Sequence, residues 1–168
     1  MKKKAVKRAA PKKKAVSWLQ EGYHVLNVYL AVDGAAAAID FYTAAFGARE
    51  RMRMEMGPGK IGHAELEMGD SVLMLADESA EMDFRGPRSR GGSSVTISLY
   101  VKDVDSVVAG AAKAGATIRR PVKDEFYGDR TATLEDPFGH VWLISTHVED
   151  LTPEECDRRM KELSEKQS

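Results

Sequence analysis

The feature that most constrains this chain is a pattern that occurs twice. One copy runs Asn27-Val28-Tyr29-Leu30-Ala31-Val32-Asp33, continues through an Ala-rich stretch and stops at Phe46-Gly47-Ala48. The other runs Thr96-Ile97-Ser98-Leu99-Tyr100-Val101-Lys102-Asp103, then a second Ala-rich stretch, then Ala114-Gly115-Ala116. Asn27 and Gly47 are 20 positions apart, and Thr96 and Gly115 are 19. Each copy reads as a strand, an acidic turn, an amphipathic helix and a glycine stop. Beyond the helix, Ile61 to Leu75 and Asp129 to Ile144 both read as strand, turn and strand, with one more residue in the second turn. With another short strand after each helix, the unit is β-α-β-β-β. Two such units predict an α+β fold of two βαβββ modules, each with a mixed sheet.

Period-2 alternation assigns the faces. In the first strand Val28, Leu30 and Val32 are expected to face the helices, leaving Asn27, Tyr29 and Ala31 on the concave side. In the third, Ala64, Leu66 and Met68 go to the helix side, and His63, Glu65 and Glu67 to the concave side. Met74 joins that side from the fourth strand. The second module contributes Thr96, Ser98 and Tyr100 from its first strand, with Thr133 and Leu143 from its later ones. Asp136-Pro137-Phe138-Gly139 is a turn with Pro at its second position and Gly at its fourth, and His140 is read as part of that turn. Thr152-Pro153-Glu154-Glu155 opens a final helix with a cap, a first-turn Pro and a capping box.

The resulting organisation is a basic tail over 1–17, one domain over 18–150 and a C-terminal helix over 151–168. Within the domain, module one spans 24–77, a linker 78–93 and module two 94–149. Lys2, Lys3, Lys4, Lys7, Arg8, Lys12, Lys13 and Lys14 give +8 before Ser17, so against a net charge of −1 the remainder carries −9. A Lys/Ala/Pro tail with few large apolar residues is expected to be disordered. The acidic body argues against a nucleic-acid-binding domain, and polyanion contact through the tail is the weakest of the functional readings. No apolar run reaches the roughly 20 residues of a membrane helix, and the basic start lacks the apolar stretch of a secretory signal. The single Cys156 leaves no intrachain disulfide or Cys-based zinc site. A cytoplasmic protein without membrane attachment is expected.

The paired modules, Asp40-Phe41-Tyr42 with Phe46-Gly47-Ala48, the strand His63-Ala64-Glu65-Leu66, Leu73-Met74-Leu75-Ala76-Asp77 and the run Asp136-Pro137-Phe138-Gly139-His140-Val141-Trp142 together resemble the glyoxalase/bleomycin-resistance (vicinal oxygen chelate) superfamily. The similarity is strongest to its PhnB-like branch and covers about 26–145. It implies that the two modules form a cup of curved mixed sheet whose concave face holds the ligand or metal, and it implies a homodimer. In metal-dependent members the ligands come from the first and fourth strands of each module and are usually His and Glu. By repeat alignment those positions here are Asn27, Met74, Thr96 and Leu143, none of which is an imidazole or a carboxylate.

Two functions follow from different chemistry. One is a metal-free protein that binds a small molecule in a cup lined by Asn27, Tyr29, Met74, Thr96, Ser98, Tyr100, Thr133 and Leu143, sequestering a drug or metabolite. The other is a lyase or isomerase in which His63 and Glu65, two apart on one strand, act as base and orienting acid, or hold a divalent metal at an atypical position. Fold alone does not separate them.

Overall fold

A computed structural model describes residues 16–166. Most of the expected basic tail lies outside the described residues. The chain order is β1 (Val28–Val32), α1 (Ala35–Phe46), β2 (Arg49–Glu55), β3 (Ile61–Met68), β4 (Ser71–Asp77), α2 (Pro87–Arg90), β5 (Thr96–Tyr100), α3 (Val104–Lys113), β6 (Thr117–Asp124), β7 (Asp129–Glu135), β8 (Val141–His147) and α4 (Pro153–Lys166). The strands form two four-stranded mixed sheets of identical topology, β1-β4-β3-β2 and β5-β8-β7-β6. In each, the module's first strand runs parallel to its last, and the remaining pairs are antiparallel.

Alternation decides which face is buried. Leu30, Val32, Ala64, Leu66, Leu73 and Leu75 cover one side of the first sheet and pack with Ile39 and Tyr42 of α1. Ala132, Leu134, Trp142 and Ile144 do the same in the second sheet, with Val104, Val108 and Ala111 of α3. The two helices also pack on each other, so both modules share one core. Each fully buried large side chain there contributes about 1.5–3 kcal/mol of transfer free energy.

The repeat extends to the way each helix begins. Asp77, last residue of β4, accepts from the Gly34 and Ala35 backbone N–H groups at 3.0 and 3.2 Å. Thr146 near the end of β8 accepts from Val104 N–H at 2.9 Å. A polar side chain on the module's last strand thus satisfies an orphan donor at the helix start in both units. Gly47 ends α1 in the left-handed region at φ 67°, as its place in the sequence predicts.

The linker is ordered. Ser79 bridges Phe84, and the Glu78 carboxylate accepts from Gly86 N–H at 2.5 Å and from Ser89 Oγ at 2.7 Å. A Cβ on Gly86 would lie 2.4 Å from the Ala31 carbonyl oxygen, so only glycine lets the linker sit this close to β1. Pro87 and Arg88 pack against Gly139 of the turn before β8. His140 Nε2 lies 3.2 Å from the Ala31 carbonyl oxygen. His140 is therefore more than a turn residue: it joins the two modules.

At α4, Thr152 Oγ1 accepts from Glu155 N–H at 3.2 Å. The expected capping box is only half made, because the Glu155 carboxylate is held by Arg158 and Arg159. Arg159 also pairs with Glu149 at 2.8 Å and fastens the helix to the domain. No described helix is long and apolar enough to cross a membrane.

Candidate functional site

The ladder register sets which open-face residues are neighbours. Tyr29 lies opposite Met74, and Met74 opposite Glu65. In the second module Ser98 lies opposite Leu143, and Leu143 opposite Thr133. Of the four strand positions singled out from the family's ligand pattern, Met74 and Leu143 thus face Tyr29 and Ser98 and not Asn27 and Thr96. Asn27 precedes β1, and its side chain closes a turn, bonding both the backbone N–H and the carbonyl of His24.

Tyr29, Thr96 and Ser98 are brought together by a cavity of about 570 Å³ between the unpaired edges of β1 and β5. The linker roofs it. Phe84 stands edge-on to Tyr29, with ring centroids 5.3 Å apart. His63, Glu65, Met74, Tyr100, Thr133 and Leu143 do not line it. Phe84, Arg85, Arg90 and His140 do. The sequence held no local signal for the first three, because what places them is the long-range packing of the linker.

His63 and Glu65 form a hydrogen-bonded group behind Tyr29. Tyr29 Oη lies 2.9 Å from His63 Nδ1, and His63 Nε2 is 3.4 Å from Glu65 Oε1. Tyr23 Oη donates to the same Glu65 oxygen, and Arg51 lies 3.6 Å from the other. Burial works to raise the Glu65 carboxyl, but the bonds from Tyr23 and His63 and the Arg51 charge outweigh it and hold it below its usual value. Partial burial and the Glu65 carboxylate push the Tyr23 phenol up to about 12.

Tyr100 belongs to a separate group at the far end of the second sheet. Its Oη donates to Asp129 at 2.6 Å, and His147 Nδ1 lies 2.7 Å from the other oxygen of that buried carboxylate. The Asp129 contact, assisted by Asp150, raises the His147 imidazole.

The residues present do not suit a divalent ion at the rows where the first and last strands meet. Tyr29 with Met74, and Ser98 with Leu143, offer a phenol, a thioether, a hydroxyl and an alkyl group. Among the described residues no three His, Cys, Asp or Glu side chains gather where they could hold a metal.

The chain belongs to the Glyoxalase/Bleomycin resistance protein/Dioxygenase superfamily, whose sequence model matches residues 23–144. An uncharacterized protein of Mycobacterium tuberculosis is 40% identical over 138 residues, covering 80% of this chain and 81% of that protein. Among solved structures, TioX from Micromonospora sp. ML1 is 27% identical with a TM-score of 0.60, covering 73% of this chain and 98% of that one. A gene product of Arabidopsis thaliana is 29% identical, with the same TM-score and the same coverage.

Proposed function

We propose that this chain is a cytoplasmic small-molecule-binding member of the superfamily, of its PhnB-like branch, which sequesters a drug or metabolite without a divalent metal. The observation that carries this reading is the shared cavity. Tyr29 from one module and Thr96 and Ser98 from the other line about 570 Å³ of space, a volume suited to a drug-sized ligand, with aromatic and alkyl walls and a few polar groups. A member that confers resistance by binding needs no reacting group, only such a cavity.

The lyase or isomerase reading keeps His63 with Glu65 as its chemistry. Their arrangement favours a supporting role. Both His63 nitrogens are within hydrogen-bond reach of protein groups, and Glu65 already meets Tyr23, His63 and Arg51. Held this way, His63 fixes the Tyr29 ring at the cavity wall. A homodimer, with a second copy covering the open sheet faces, completes the proposal.

The test is a titration with N-phenyl-1-naphthylamine, a neutral aromatic probe, followed by fluorescence and calorimetry. Saturable binding at one probe per chain is expected, unchanged by chelator or by added Zn²⁺, and reduced no more than a few-fold in His63→Ala. Absence of saturable binding, or binding that requires the metal, overturns the reading.

A further inference from the structure

The cavity has a charged mouth that simple apolar binding does not use. Its apolar lining includes Val28, Phe84, Val95 and Ile97. At the rim, Arg85 Nε donates to Asp83 Oδ1 at 3.1 Å. Arg90 Nη2 donates to the Asp83 carbonyl at 2.8 Å and lies 3.2 Å from Asp83 Oδ2. Two guanidinium groups share one carboxylate, so one positive charge is left over. Asp83, Arg85 and Arg90 all line the cavity, whereas the neighbouring acids Glu78 and Glu81 do not. Both arginines are partly exposed, with side-chain accessibilities of 43% and 51%.

His140, which also lines the cavity, is neutral. It is 8% exposed, and burial lowers its pKa, so it stands as uncharged imidazole. With Nε2 on the Ala31 carbonyl oxygen, that nitrogen carries the proton and Nδ1 is left as an acceptor. The cavity thus combines the rings of Tyr29 and Phe84 and several alkyl side chains with a net positive charge from Asp83, Arg85 and Arg90 and an uncharged His140.

We propose that the ligand is a flat aromatic anion, a carboxylate or sulfonate, whose ring system lies against Phe84, Val95 and Ile97 and whose anionic group meets Arg85 and Arg90. This rests on the small-molecule-binding reading and names the class of molecule bound. Guanidinium groups suit carboxylates and tetrahedral oxyanions alike, because they offer two parallel donors to a pair of oxygens. Asp83 sits in the left-handed region at φ 49°, which Asp tolerates better than most residues; there it holds both arginines at the rim before a ligand arrives.

The experiment compares 8-anilinonaphthalene-1-sulfonate with N-phenyl-1-naphthylamine, the same rings without the sulfonate, on wild type, the double variant Arg85→Gln/Arg90→Gln and Thr96→Trp. The double variant is expected to lose about tenfold in affinity for the sulfonate while the neutral probe changes by less than about twofold, as the loss of charge-assisted contacts implies. The neutral probe also reports that the cavity remains folded. Thr96→Trp, which fills the cavity, is expected to weaken both probes. If both change equally in the double variant, or neither does, the anion assignment is overturned while the binding reading stands. If Thr96→Trp binds both probes like wild type, the ligand lies elsewhere and the assignment falls. If wild type binds neither probe, the binding reading itself fails.

Discussion

Tyr42 Oη donates to Asp136 Oδ2 at 2.7 Å, and that bond ties the helix of one module to the turn of the other. The same carboxylate oxygen accepts from Trp142 Nε1 at 2.9 Å, and its partner oxygen accepts from the backbone N–H groups of Phe138 and His140. Asp136 is buried, so each of these donors offsets its desolvation. Tyr42→Phe keeps the ring packing against Phe46 and Trp142 and removes one donor. It is expected to destabilise the protein by about 1–3 kcal/mol, the cost of under-satisfying a buried polar group. Urea unfolding would read this as a lowered midpoint at unchanged slope.

Gly86 is expected to be intolerant of even one methyl group. In Gly86→Ala the new Cβ meets the Ala31 carbonyl, a backbone atom that cannot turn aside. The linker must lift, taking the cavity's roof with it. A loss of about 1–3 kcal/mol is expected from overpacking of this kind, together with faster proteolysis between Glu78 and Val95. Unchanged stability and unchanged proteolysis would mean that the linker does not hold this position in solution.

Much of this architecture is legible in the sequence, and the limits of that legibility have a physical cause. Alternation in β1, β3 and β4 puts Leu30, Leu66 and Leu75 in the core as expected, but Val28, expected beside Leu30, is 38% exposed at the cavity, and Glu65, expected on the open face, is only 5% exposed because Tyr23 covers it. Gly47 marks the end of α1 because few other residues adopt its conformation. The register of β1 on β4 is not legible: the repeat aligns Asn27 with Thr96, but only the folded sheet sets Tyr29 against Met74. The linker's docking through Gly86, and the Tyr23 bond to Glu65 across 42 residues, are tertiary contacts without a local pattern. His140 looks like a turn residue because its neighbours are turn residues, and its reach to Ala31 spans 109 positions.

All five tyrosines are held above their ordinary pKa of 10.0. Burial dominates for Tyr23, Tyr29, Tyr42 and Tyr127, and the bond to Asp129 dominates for Tyr100. The unfolded chain ionises its tyrosines at about 10. Above that pH the folded state binds more protons than the unfolded one, and stability falls as pH rises from about 10 toward the folded values. Absorbance at 295 nm is expected to show less phenolate at pH 10 in the native protein than in urea, where the tyrosines are about half-ionised at the same pH. A native curve matching the urea curve would contradict the packing of these side chains.

Glu65 makes the opposite prediction in acid. Its carboxyl is held below 4.5, so its contribution is present above the unfolded value and lost as pH falls through the folded one. Glu65→Gln is expected to flatten the decline in stability between about pH 5 and 3, the window that linkage assigns to a depressed carboxylate. Tyr23→Phe, which removes one of its donors, is expected to narrow that window without abolishing it. Chemical denaturation at a series of pH values separates the two variants.

The last prediction concerns the faces the chain leaves open. Met54 and Met56 are 57% and 58% exposed, and Tyr100 is 62% exposed. Met54 lies opposite His63 in the β2–β3 ladder, so the exposed methionines border the same open face as the His63 and Glu65 group. Exposed apolar side chains grouped on an open sheet face mark an interaction site, and a symmetric pair of chains covers them at no cost in new sequence. β2 and β6 are also unpaired outer edges, a second reason for a partner to lie there. Sedimentation velocity is expected to give a dimer for the wild-type chain. Met54→Asp/Met56→Asp is expected to shift it to monomer with an unchanged far-UV spectrum, because both side chains are already solvated and add nothing to the core. If the wild-type chain stays monomeric at its highest soluble concentration, the open faces serve something other than a second copy. If the double variant stays dimeric, the partner sits on a different surface.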